Sequence, residues 1–277
     1  MKSLDERVAV VTGASGGIGR AIAVRLAQEG CHLALVDLKR SGLEETVSMV
    51  EALGRTCTCH EVDVSDSDAM IALAQEVFDA HGRVEILVNN AGVNVHGPFA
   101  SHTVQDIDWI LGVNVRGVMY GCHAFLPYLR QAGESHVVNV ASLAGMVPFP
   151  LQSTYTASKF AVRGFSAALR MEWTPFGIGV TTVLPGSINT SLMTHGRSYD
   201  EEMSAQIVGL MERYGRSPES VAAAVVKGVR KNRAEVVLGP DAVLFRCLQW
   251  VSPALLRWSL GRGMAKLEET STDEEAP

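Results

Sequence analysis

The chain has 277 residues, of which 47% are hydrophobic and 19% charged, so its composition is that of a globular protein and excludes a disordered one. The formal net charge of −6 offers no clustered basic surface, and we therefore expect no nucleic-acid partner. Five scattered cysteines, a charged N-terminus without a signal-peptide pattern and the lack of a run of 18 apolar residues predict a cytoplasmic protein with reduced cysteines and no membrane-spanning helix.

Short apolar runs alternate with longer amphipathic stretches along the chain, which is the pattern of βαβ units. The runs are rich in Val, Ile and Leu with little polar alternation, as in a parallel sheet covered on both faces. The sequence therefore predicts an α/β fold of the Rossmann type, a doubly wound parallel sheet of about seven strands with helices on both faces. The predicted strands are Val8–Thr12, His32–Asp37, Thr56–Val62, Ile86–Asn89, His136–Ala141, Val180–Leu184 and Glu235–Leu238. The predicted helices span roughly residues 17–29, 42–53, 66–81, 103–130, 154–174 and 218–231.

No linker rich in Pro, Gly or Ser interrupts this alternation, so residues 1–240 are predicted to form a single dinucleotide-binding catalytic domain. Its polar segment 187–217 is predicted to be a lid. Residues 241–277 are predicted to be an apolar helical extension with an acidic tail, in which two short amphipathic helices break near Pro253. Packing of residues 241–266 over the substrate pocket or against another subunit is favoured, and their Trp, Leu and Arg side chains make peripheral contact with a membrane the alternative.

The glycine-rich segment TGASGGIG, residues 12–19, joins the first predicted strand to the first predicted helix. Glycines at such a junction permit a tight turn and the close approach of a pyrophosphate, and the helix N-terminus attracts its charge. A glycine trio alone also serves ordinary turns. Its place between a strand and a helix favours a dinucleotide site. The candidate contacts in this loop are Gly13, Ser15, Gly17, Ile18 and Gly19.

Asp37 ends the second predicted strand, where a carboxylate can accept hydrogen bonds from the adenosine ribose and repel the 2′-phosphate of NADP. Lys39 and Arg40 could instead bind that phosphate. Because Asp37 stands at the strand end and the glycine loop has no basic residue, the sequence predicts NAD as the cofactor in preference to NADP.

Asp63 and Val64 follow the third predicted strand and are predicted to line the adenine pocket. The alternative for this segment is a plain helix cap formed by Ser65 or Asp66.

Tyr155 and Lys159 open an amphipathic stretch, and their spacing places the phenol and the ammonium on one face of a helix. A neighbouring cation favours the phenolate, without which tyrosine is a poor acid or base near neutral pH. A lone pair of this kind is common by chance. Ser142 changes that interpretation, because it follows the fifth predicted strand at the edge where ligands of such sheets bind, and its hydroxyl could orient a substrate oxygen.

Taken together, these residues resemble the single-domain branch of the short-chain dehydrogenase/reductase family over nearly all of residues 5–240. The segments that carry the resemblance are TGASGGIG (12–19), Asp63, NNAG (89–92), Asn114 in VNVRG, Ser142, YTASK (155–159) and PGSINT (185–190). Their combination is far more specific than any one motif.

The resemblance implies a role for each of four catalytic candidates. Tyr155 would be the general acid/base and Ser142 would position the substrate. Lys159 would lower the pKa of Tyr155 and hold the nicotinamide ribose. Asn114 would anchor a water that leads protons from Lys159 to solvent, whereas from the residues alone an asparagine inside a helix marks a local kink.

The resemblance also extends the predicted cofactor site beyond the glycine loop. Asn90 would stabilise the central sheet beside the cofactor. Ile188 and Thr190 would contact the nicotinamide carboxamide, and Pro185 and Gly186 would shape the turn before them. The other candidate contacts are Ala91, Gly92, Tyr155 and Lys159.

These residues predict an NAD(P)-dependent oxidoreductase that interconverts a secondary alcohol and a ketone by hydride transfer, without a metal. An NAD-binding epimerase or dehydratase of the family's longer branch is one alternative, and the NNAG segment and the lack of a separate sugar-nucleotide domain argue against it. A catalytically silent cofactor-binding protein is another, and the intact glycine loop and catalytic residues argue against it. The resemblance further implies a homodimer or homotetramer, with helices 103–130 and 154–174 in the subunit contact.

Apolar residues near the predicted cleft indicate a small hydrophobic alcohol or ketone as the substrate, although some of them belong to the core. These residues are Val93, Val95, Val147, Phe149, Leu151, Leu192, Met193, Tyr199, Met203, Ile207, Leu210 and Met211. His96 and His102 are predicted to be loop residues near the cleft rather than zinc ligands.

Overall fold

A central sheet of seven parallel strands organises the computed structural model, which describes residues 1–190, 192, 196–199, 201–254 and 256. The strands in chain order are β1 (Val8–Thr12), β2 (His32–Asp37), β3 (Cys57–Glu61), β4 (Ile86–Asn89), β5 (Val95–His96), β6 (Ser135–Val140), β7 (Ile178–Pro185), β8 (Arg197–Ser198) and β9 (Glu235–Leu238). β5 and β8 pair with each other in a separate two-stranded sheet, and the other strands form the central one in the order β3-β2-β1-β4-β6-β7-β9. The predicted fold class and its seven sheet strands are confirmed.

Helices occupy the connections between these strands. They are α1 (Gly17–Gln28), α2 (Glu44–Glu51), α3 (Ser67–His81), α4 (Val104–Leu111), α5 (Gly117–Gln131), α6 (Ser153–Trp173), α7 (Glu201–Tyr214), α8 (Pro218–Arg230) and α9 (Pro240–Val251). The helical stretch predicted over 103–130 is confirmed as a continuous run of α4, a π-helical turn at Gly112–Arg116, and α5; the π-helical turn within it was not predicted. Within the part of the chain that the structure describes, no helix is both long enough and apolar enough to cross a membrane.

The strand order changes direction next to β1. β2 pairs with one edge of β1 and β4 pairs with the other, although β2 and β3 both precede β4 in the chain. In open parallel sheets, ligands bind in the crevice at the carboxyl ends of the strands beside such a switch. The fold therefore places a candidate site where β1, β4 and their following loops diverge.

Both faces of β1 are buried. Ala9 and Val11 belong to a core cluster that contains residues of α1 and α8, whereas Val10 belongs to a second cluster with residues of α3 and α5. Successive strand residues point to opposite faces of a sheet. Helices on both sides therefore explain why β1 is apolar at every position before Thr12.

Candidate active site

A cavity of about 1180 Å³ lies at the carboxyl ends of the central strands. Every residue predicted for the cofactor or the catalytic site lines this cavity, with the exception of Asn114. The predicted cofactor contacts along its wall are Gly13, Ser15, Gly17, Ile18, Gly19, Asp37, Asp63, Val64, Asn90, Ala91, Gly92, Pro185, Gly186, Ile188 and Thr190; the predicted catalytic residues are Ser142, Tyr155 and Lys159. The fold thus collects motifs from widely separated parts of the chain around one space.

The backbone conformation of the glycine loop between β1 and α1 requires residues without side chains. Gly13 and Gly17 have φ angles of +66° and +52°, which residues with side chains rarely adopt. A Cβ on Gly19 would lie 1.9 Å from the carbonyl oxygen of Gly13. Gly16 is the N-cap of α1 and has no side chain with which to cap it, so the N–H groups of the first turn are left for a ligand. This cradle fits the pyrophosphate of a dinucleotide.

Asp37 lies beside the glycine loop at the end of β2. One of its carboxylate oxygens accepts a hydrogen bond from the backbone N–H of Ser15 at 2.9 Å. A carboxylate has acceptor capacity beyond that bond, and Asp37 also lines the cavity, so it fits the hydroxyls of a ribose. Lys39 lines the cavity as well. Arg40 is outside the lining, and its backbone N–H donates to Glu61 at 2.9 Å.

The segment after β3 contains two aspartates, one that caps α3 and one that lines the cavity. Asp66 caps α3, because its side chain accepts hydrogen bonds from backbone N–H groups of the first turn. Asp63 instead accepts from the backbone N–H and the hydroxyl of Ser65, at 2.8 and 2.7 Å. Asp63 and Val64 both line the cavity, so the cap and the cavity wall are formed by different residues.

Thr12 connects β1 to the segment after β4, a task for which the sequence gives no signal beyond a threonine before the glycine loop. Its hydroxyl accepts hydrogen bonds from the backbone N–H groups of Asn90 and Ala91, both at 3.0 Å. The side-chain amide of Asn90 returns to the carbonyl oxygens of Thr12 at 2.9 Å and Gly13 at 3.2 Å. These bonds hold the glycine loop against the NNAG segment.

Ser142, Tyr155 and Lys159 meet on the cavity wall. Ser142 is close enough to Tyr155 to lower the pKa of its phenol, and its hydroxyl accepts a hydrogen bond from the backbone N–H of Ala144 at 3.1 Å. Lys159 follows Tyr155 by one turn of α6, and its Nζ lies 5.5 Å from the centre of the Tyr155 ring. The same Nζ donates to the carbonyl oxygen of Val140 at 3.2 Å. The three groups are therefore held by β6 and α6 together.

Burial controls the protonation of Tyr155 and Lys159, which are 7% and 4% exposed. Burial raises the pKa of Tyr155 to about 12, and the hydrogen bond with Ser142 acts in the opposite direction. Burial lowers the pKa of Lys159 to about 8. Both shifts follow from the cost of placing a charge in an apolar environment. At neutral pH the phenol is consequently a proton donor.

Asn114 lies behind the cavity wall, in the π-helical turn between α4 and α5, and is completely buried. Its side-chain oxygen accepts a hydrogen bond from the N–H of Val93 at 2.8 Å, and its amide donates to the Val93 carbonyl at 2.9 Å. The amide also donates to the hydroxyl of Ser158 at 3.0 Å, which in turn donates to the carbonyl oxygen of Tyr155 at 2.7 Å. The π-helical turn is the local irregularity that an asparagine inside a helix indicates, and such turns often occur at functional sites. Ser158 was not predicted, and its place between Tyr155 and Lys159 is its one sequence signal.

The rest of the cavity wall is largely apolar. Of the residues predicted to meet a hydrophobic substrate, the lining contains Val93, Phe149, Leu151, Leu192 and Met211. Val95 and Val147 are core residues instead, and Tyr199 is 43% exposed outside the cavity. Met193 and the side chains of Met203, Ile207 and Leu210 lie outside the described residues.

Four further side chains on this wall extend the predicted set. Asn94, Trp109 and Gln152 were not singled out from the sequence, and His96, predicted as a loop residue near the cleft, is in β5 and lines the cavity. His102 is not part of the lining, and its Nδ1 lies 3.0 Å from the hydroxyl oxygen of Thr154. Trp109 lies on α4, so its role depends on how that helix packs over the cavity.

Known proteins match this chain in sequence and in fold. The model of the short chain dehydrogenase family matches residues 7–201. The Mycobacterium tuberculosis protein SadH, assigned as an oxidoreductase, is 37% identical over 270 residues, which are 96% of this chain and 98% of SadH.

Two solved structures extend this likeness to the fold. A short-chain dehydrogenase/reductase from Burkholderia phymatum, solved with NAD, has a TM-score of 0.85 at 29% identity over 92% of this chain and 96% of its own. A metagenomic short-chain oxidoreductase, solved with NADP, has a TM-score of 0.72 at 30% identity over 85% of this chain and 98% of its own. The chain therefore belongs to the short-chain dehydrogenase/reductase family and is an oxidoreductase that acts on CH–OH groups.

Proposed function

We propose that this enzyme interconverts a hydrophobic secondary alcohol and a ketone by exchanging a hydride with NAD, with Tyr155 as the general acid/base. The observation that carries the proposal is that Ser142, Tyr155 and Lys159 line the cavity that also contains the glycine loop, with the Lys159 ammonium nitrogen 5.5 Å from the centre of the buried Tyr155 ring. Bound NAD would supply the hydride acceptor and donor. In reduction, Tyr155 gives its proton to the carbonyl oxygen; in oxidation, the Tyr155 phenolate takes the hydroxyl proton.

The neighbouring residues set the position and charge of the reacting oxygen. Ser142 donates to the substrate oxygen and stabilises the charge that develops there. The Lys159 ammonium stabilises the Tyr155 phenolate, because it lies beside the Tyr155 ring. It also holds the nicotinamide ribose, since it lies next to Gly92 on the cavity wall. Asn114 anchors a water that leads protons away from Lys159, and its hydrogen bonds to Val93 and Ser158 fix its position relative to α6.

NAD is proposed in preference to NADP. Asp37 would accept hydrogen bonds from the adenosine ribose, and its charge opposes a phosphate on the same sugar. The family member solved with NAD supports this preference, whereas another member was solved with NADP. In this chain Lys39 also lines the cavity and is the residue that could bind a 2′-phosphate instead.

The segment 187–217 is proposed to act as a lid on the catalytic domain 1–240. Its ends are joined, because Arg216 donates a backbone hydrogen bond to Ser187 and accepts one from Asn189, both at 3.0 Å. Leu192 and Met211 from this segment line the cavity with Phe149. This apolar lining supports a hydrophobic substrate.

Two surfaces support the proposed partners. α5 and α6 expose apolar side chains, Met119 at 36%, Phe160 at 40% and Met171 at 73%, which suit a homodimer or homotetramer. On the extension 241–277, α9 packs Phe245 against Phe149 but leaves Trp250 90% exposed, which suits peripheral contact with a membrane.

The five cysteines are free, which supports a reducing compartment such as the cytoplasm.

The proposed function is tested by replacing the Tyr155 hydroxyl alone. Tyr155→Phe should lower kcat for NADH-dependent ketone reduction by about 10² to 10⁴, while NADH binding, followed by nicotinamide fluorescence, stays the same. Tyr214→Phe, at a tyrosine that is 68% exposed, is the matched control and should keep full activity. A Tyr155→Phe enzyme as active as the wild type would overturn the acid/base assignment. Failure of the wild type to bind NADH or NADPH would overturn the oxidoreductase mechanism.

A further inference from the structure

We propose that Asp106 anchors a clasp, formed with Arg197 and Tyr199, that closes residues 196–199 over the cavity and fixes Trp109 as a wall that selects bulky substrates. The proposal rests on the proposed function, since it assigns specificity-determining residues to that reaction. None of the three clasp residues lines the cavity itself. They are therefore positioning residues that act through Trp109 and through the strand that they hold.

Asp106 is a buried carboxylate with more hydrogen bonds than its helix needs. It is 2% exposed and forms a capping box at the start of α4 with Thr103, whose N–H and hydroxyl donate to Asp106 Oδ2 at 2.9 and 2.7 Å. That box pairs the backbone N–H groups of Thr103 and Asp106 at the start of the helix. Asp106 Oδ1 nevertheless accepts a hydrogen bond from Arg197 Nη1 at 2.6 Å, and Oδ2 accepts one from the Tyr199 hydroxyl. These two donors lie more than ninety residues further along the chain.

The backbone of the clasp forms a very short pair of strands. Arg197 N–H donates to the Asn94 carbonyl at 3.0 Å, and Tyr199 N–H donates to the His96 carbonyl at 2.9 Å. A parallel pair of two-residue strands has little stability of its own. The side-chain bonds to Asp106 therefore provide much of what holds this segment in place. Gly196, Asn94 and His96 all line the cavity, so the pairing forms part of its wall.

Tyr199 is fitted closely into this arrangement. A Cβ on Gly97 would lie 2.7 Å from the Tyr199 Cβ, so the absence of a side chain at Gly97 permits the approach. The Tyr199 ring stacks on His102 with the ring centres 5.8 Å apart. Tyr199 thus has contacts besides its hydroxyl, and removal of that hydroxyl isolates the bond to Asp106.

Arg197 connects the clasp to the substrate. Its guanidinium carbon lies 4.2 Å from the centre of the Trp109 ring, a cation–π contact. Trp109 follows Asp106 by three residues on α4, so the two lie on the same side of the helix. Arg197 therefore binds a carboxylate and an indole one turn apart, and the ion pair fixes the indole that lines the cavity. A flat wall held in this way favours a ketone with a ring or another bulky apolar group next to its carbonyl.

The test compares two ketones that the wild type reduces, one with a short chain and one with a ring. Asp106→Asn keeps the cap oxygen but loses the charge that binds Arg197, and should lower the kcat/KM ratio of ring to short-chain ketone by about tenfold, mostly through KM. Tyr199→Phe should lower it less. Asp108→Asn, at an exposed position on α4, is the control and should leave the ratio as it is. The affinity for NADH should be the same in all variants.

A double-variant cycle tests whether the clasp acts through Trp109. Trp109→Ala should lower the ratio by itself, and adding Asp106→Asn to it should lower the ratio no further, because coupled residues are not additive. Additive effects, or equal losses for both ketones in Asp106→Asn, would show that Asp106 serves stability only and would overturn the proposal.

Hydrogen exchange separates this proposal from the proposed function. The amides of Arg197 and Tyr199 should exchange faster in Asp106→Asn than in the wild type and in Asp108→Asn, whether or not a substrate is turned over. Faster exchange in a protein that reduces no ketone would overturn the proposed function while the clasp remains. Unchanged exchange would overturn the clasp while the proposed function remains.

Discussion

Lys159 holds its ammonium nitrogen 5.5 Å from the centre of the Tyr155 ring, in a part of the protein where neither side chain is more than 7% exposed. The Lys159 ammonium is therefore positioned to stabilise the Tyr155 phenolate, but its burial lowers the stability of the folded protein. Burial lowers the pKa of Lys159 from 10.5 to about 8. Below pH 8 the ammonium is charged in both the folded and the unfolded protein, so its burial cost is fully present. Between pH 8 and 10.5 the unfolded chain retains a proton that the folded protein releases, and stability rises with pH.

Lys159→Met should therefore give a protein that is inactive but more stable at pH 7. The buried charge costs up to about 3 kcal/mol, and the loss of the donor to the Val140 carbonyl offsets about 1 kcal/mol or more of the gain. We expect a net increase of about 1 to 2 kcal/mol in the free energy of unfolding, measured by urea denaturation. The increase should shrink at pH 9.5. Lys227→Met, at an exposed lysine of α8, is the control; a Lys159→Met protein less stable than the wild type at pH 7 would contradict this account.

Cofactor preference should depend on the charge of Asp37. Asp37→Asn keeps an oxygen that can accept the Ser15 N–H but removes the charge that opposes a 2′-phosphate. We expect NADPH to bind about tenfold more tightly and NADH less tightly than to the wild type. Fluorescence titration with the two reduced cofactors measures both affinities. Asp79→Asn, at an exposed aspartate of α3, controls for the change in net charge. Unchanged affinities would move the choice of cofactor from Asp37 to Lys39.

The sheet and the cofactor loop could be predicted from the sequence because both depend on local patterns. A buried parallel strand is apolar at successive positions, as in β1, and the glycine loop is recognisable by its place directly after such a strand. Asp37 and Ser142 are predictable by the same rule, since Asp37 is the last residue of one strand and Ser142 lies just after another, and both line the cavity.

The clasp and the partners of Asn114 could not be predicted, because they depend on contacts between residues distant in the chain. β5 and β8 are two residues long, too short for a periodic pattern, and they exist through pairing across about a hundred residues. Asp106 forms a capping box with Thr103, and its bond to Arg197, ninety-one residues further along, leaves no local signal in the sequence. Asn114 indicates a local irregularity in its helix, but its hydrogen-bond partner Val93 can be identified only from the structure.

Acid should destabilise the protein through His136. This residue is 2% exposed, its Nε2 lies 2.7 Å from the hydroxyl oxygen of Thr181, and burial lowers its pKa to about 3. Between pH 6.5 and 3 the unfolded chain binds a proton that the folded protein does not, so stability is lost as the pH falls. His136 should contribute a loss of about 2 kcal/mol between pH 7 and pH 5.

The contribution of His136 can be separated from that of other groups by substitution. Urea denaturation of His136→Gln at pH 7, 6 and 5 should show a smaller loss of stability on acidification than the wild type, whatever its stability at pH 7. His123→Gln, at an exposed histidine of α5, should follow the wild type. The same pH dependence in wild type and His136→Gln would assign the acid sensitivity to carboxylates instead.

Attachment to a membrane should depend on the outer face of α9. The inner face packs Phe245 and Leu248 against the core, whereas Leu244 and Trp250 are 58% and 90% exposed. The double variant Leu244→Ser, Trp250→Ser leaves the inner face intact, so its melting temperature should stay close to that of the wild type.

The wild type should co-sediment with vesicles of phosphatidylcholine and anionic phosphatidylserine, and this α9 variant should lose most of that binding, because apolar area and interfacial tryptophan drive such attachment. A double variant at exposed apolar residues of α2–β3 and α3, Leu53→Ser and Ile71→Ser, should still bind. Equal sedimentation of wild type and α9 variant would contradict membrane contact. If the α9 variant instead has a lower mass in solution than the wild type, this face of α9 is a subunit contact, because the substitution has then removed a protein partner rather than a lipid one.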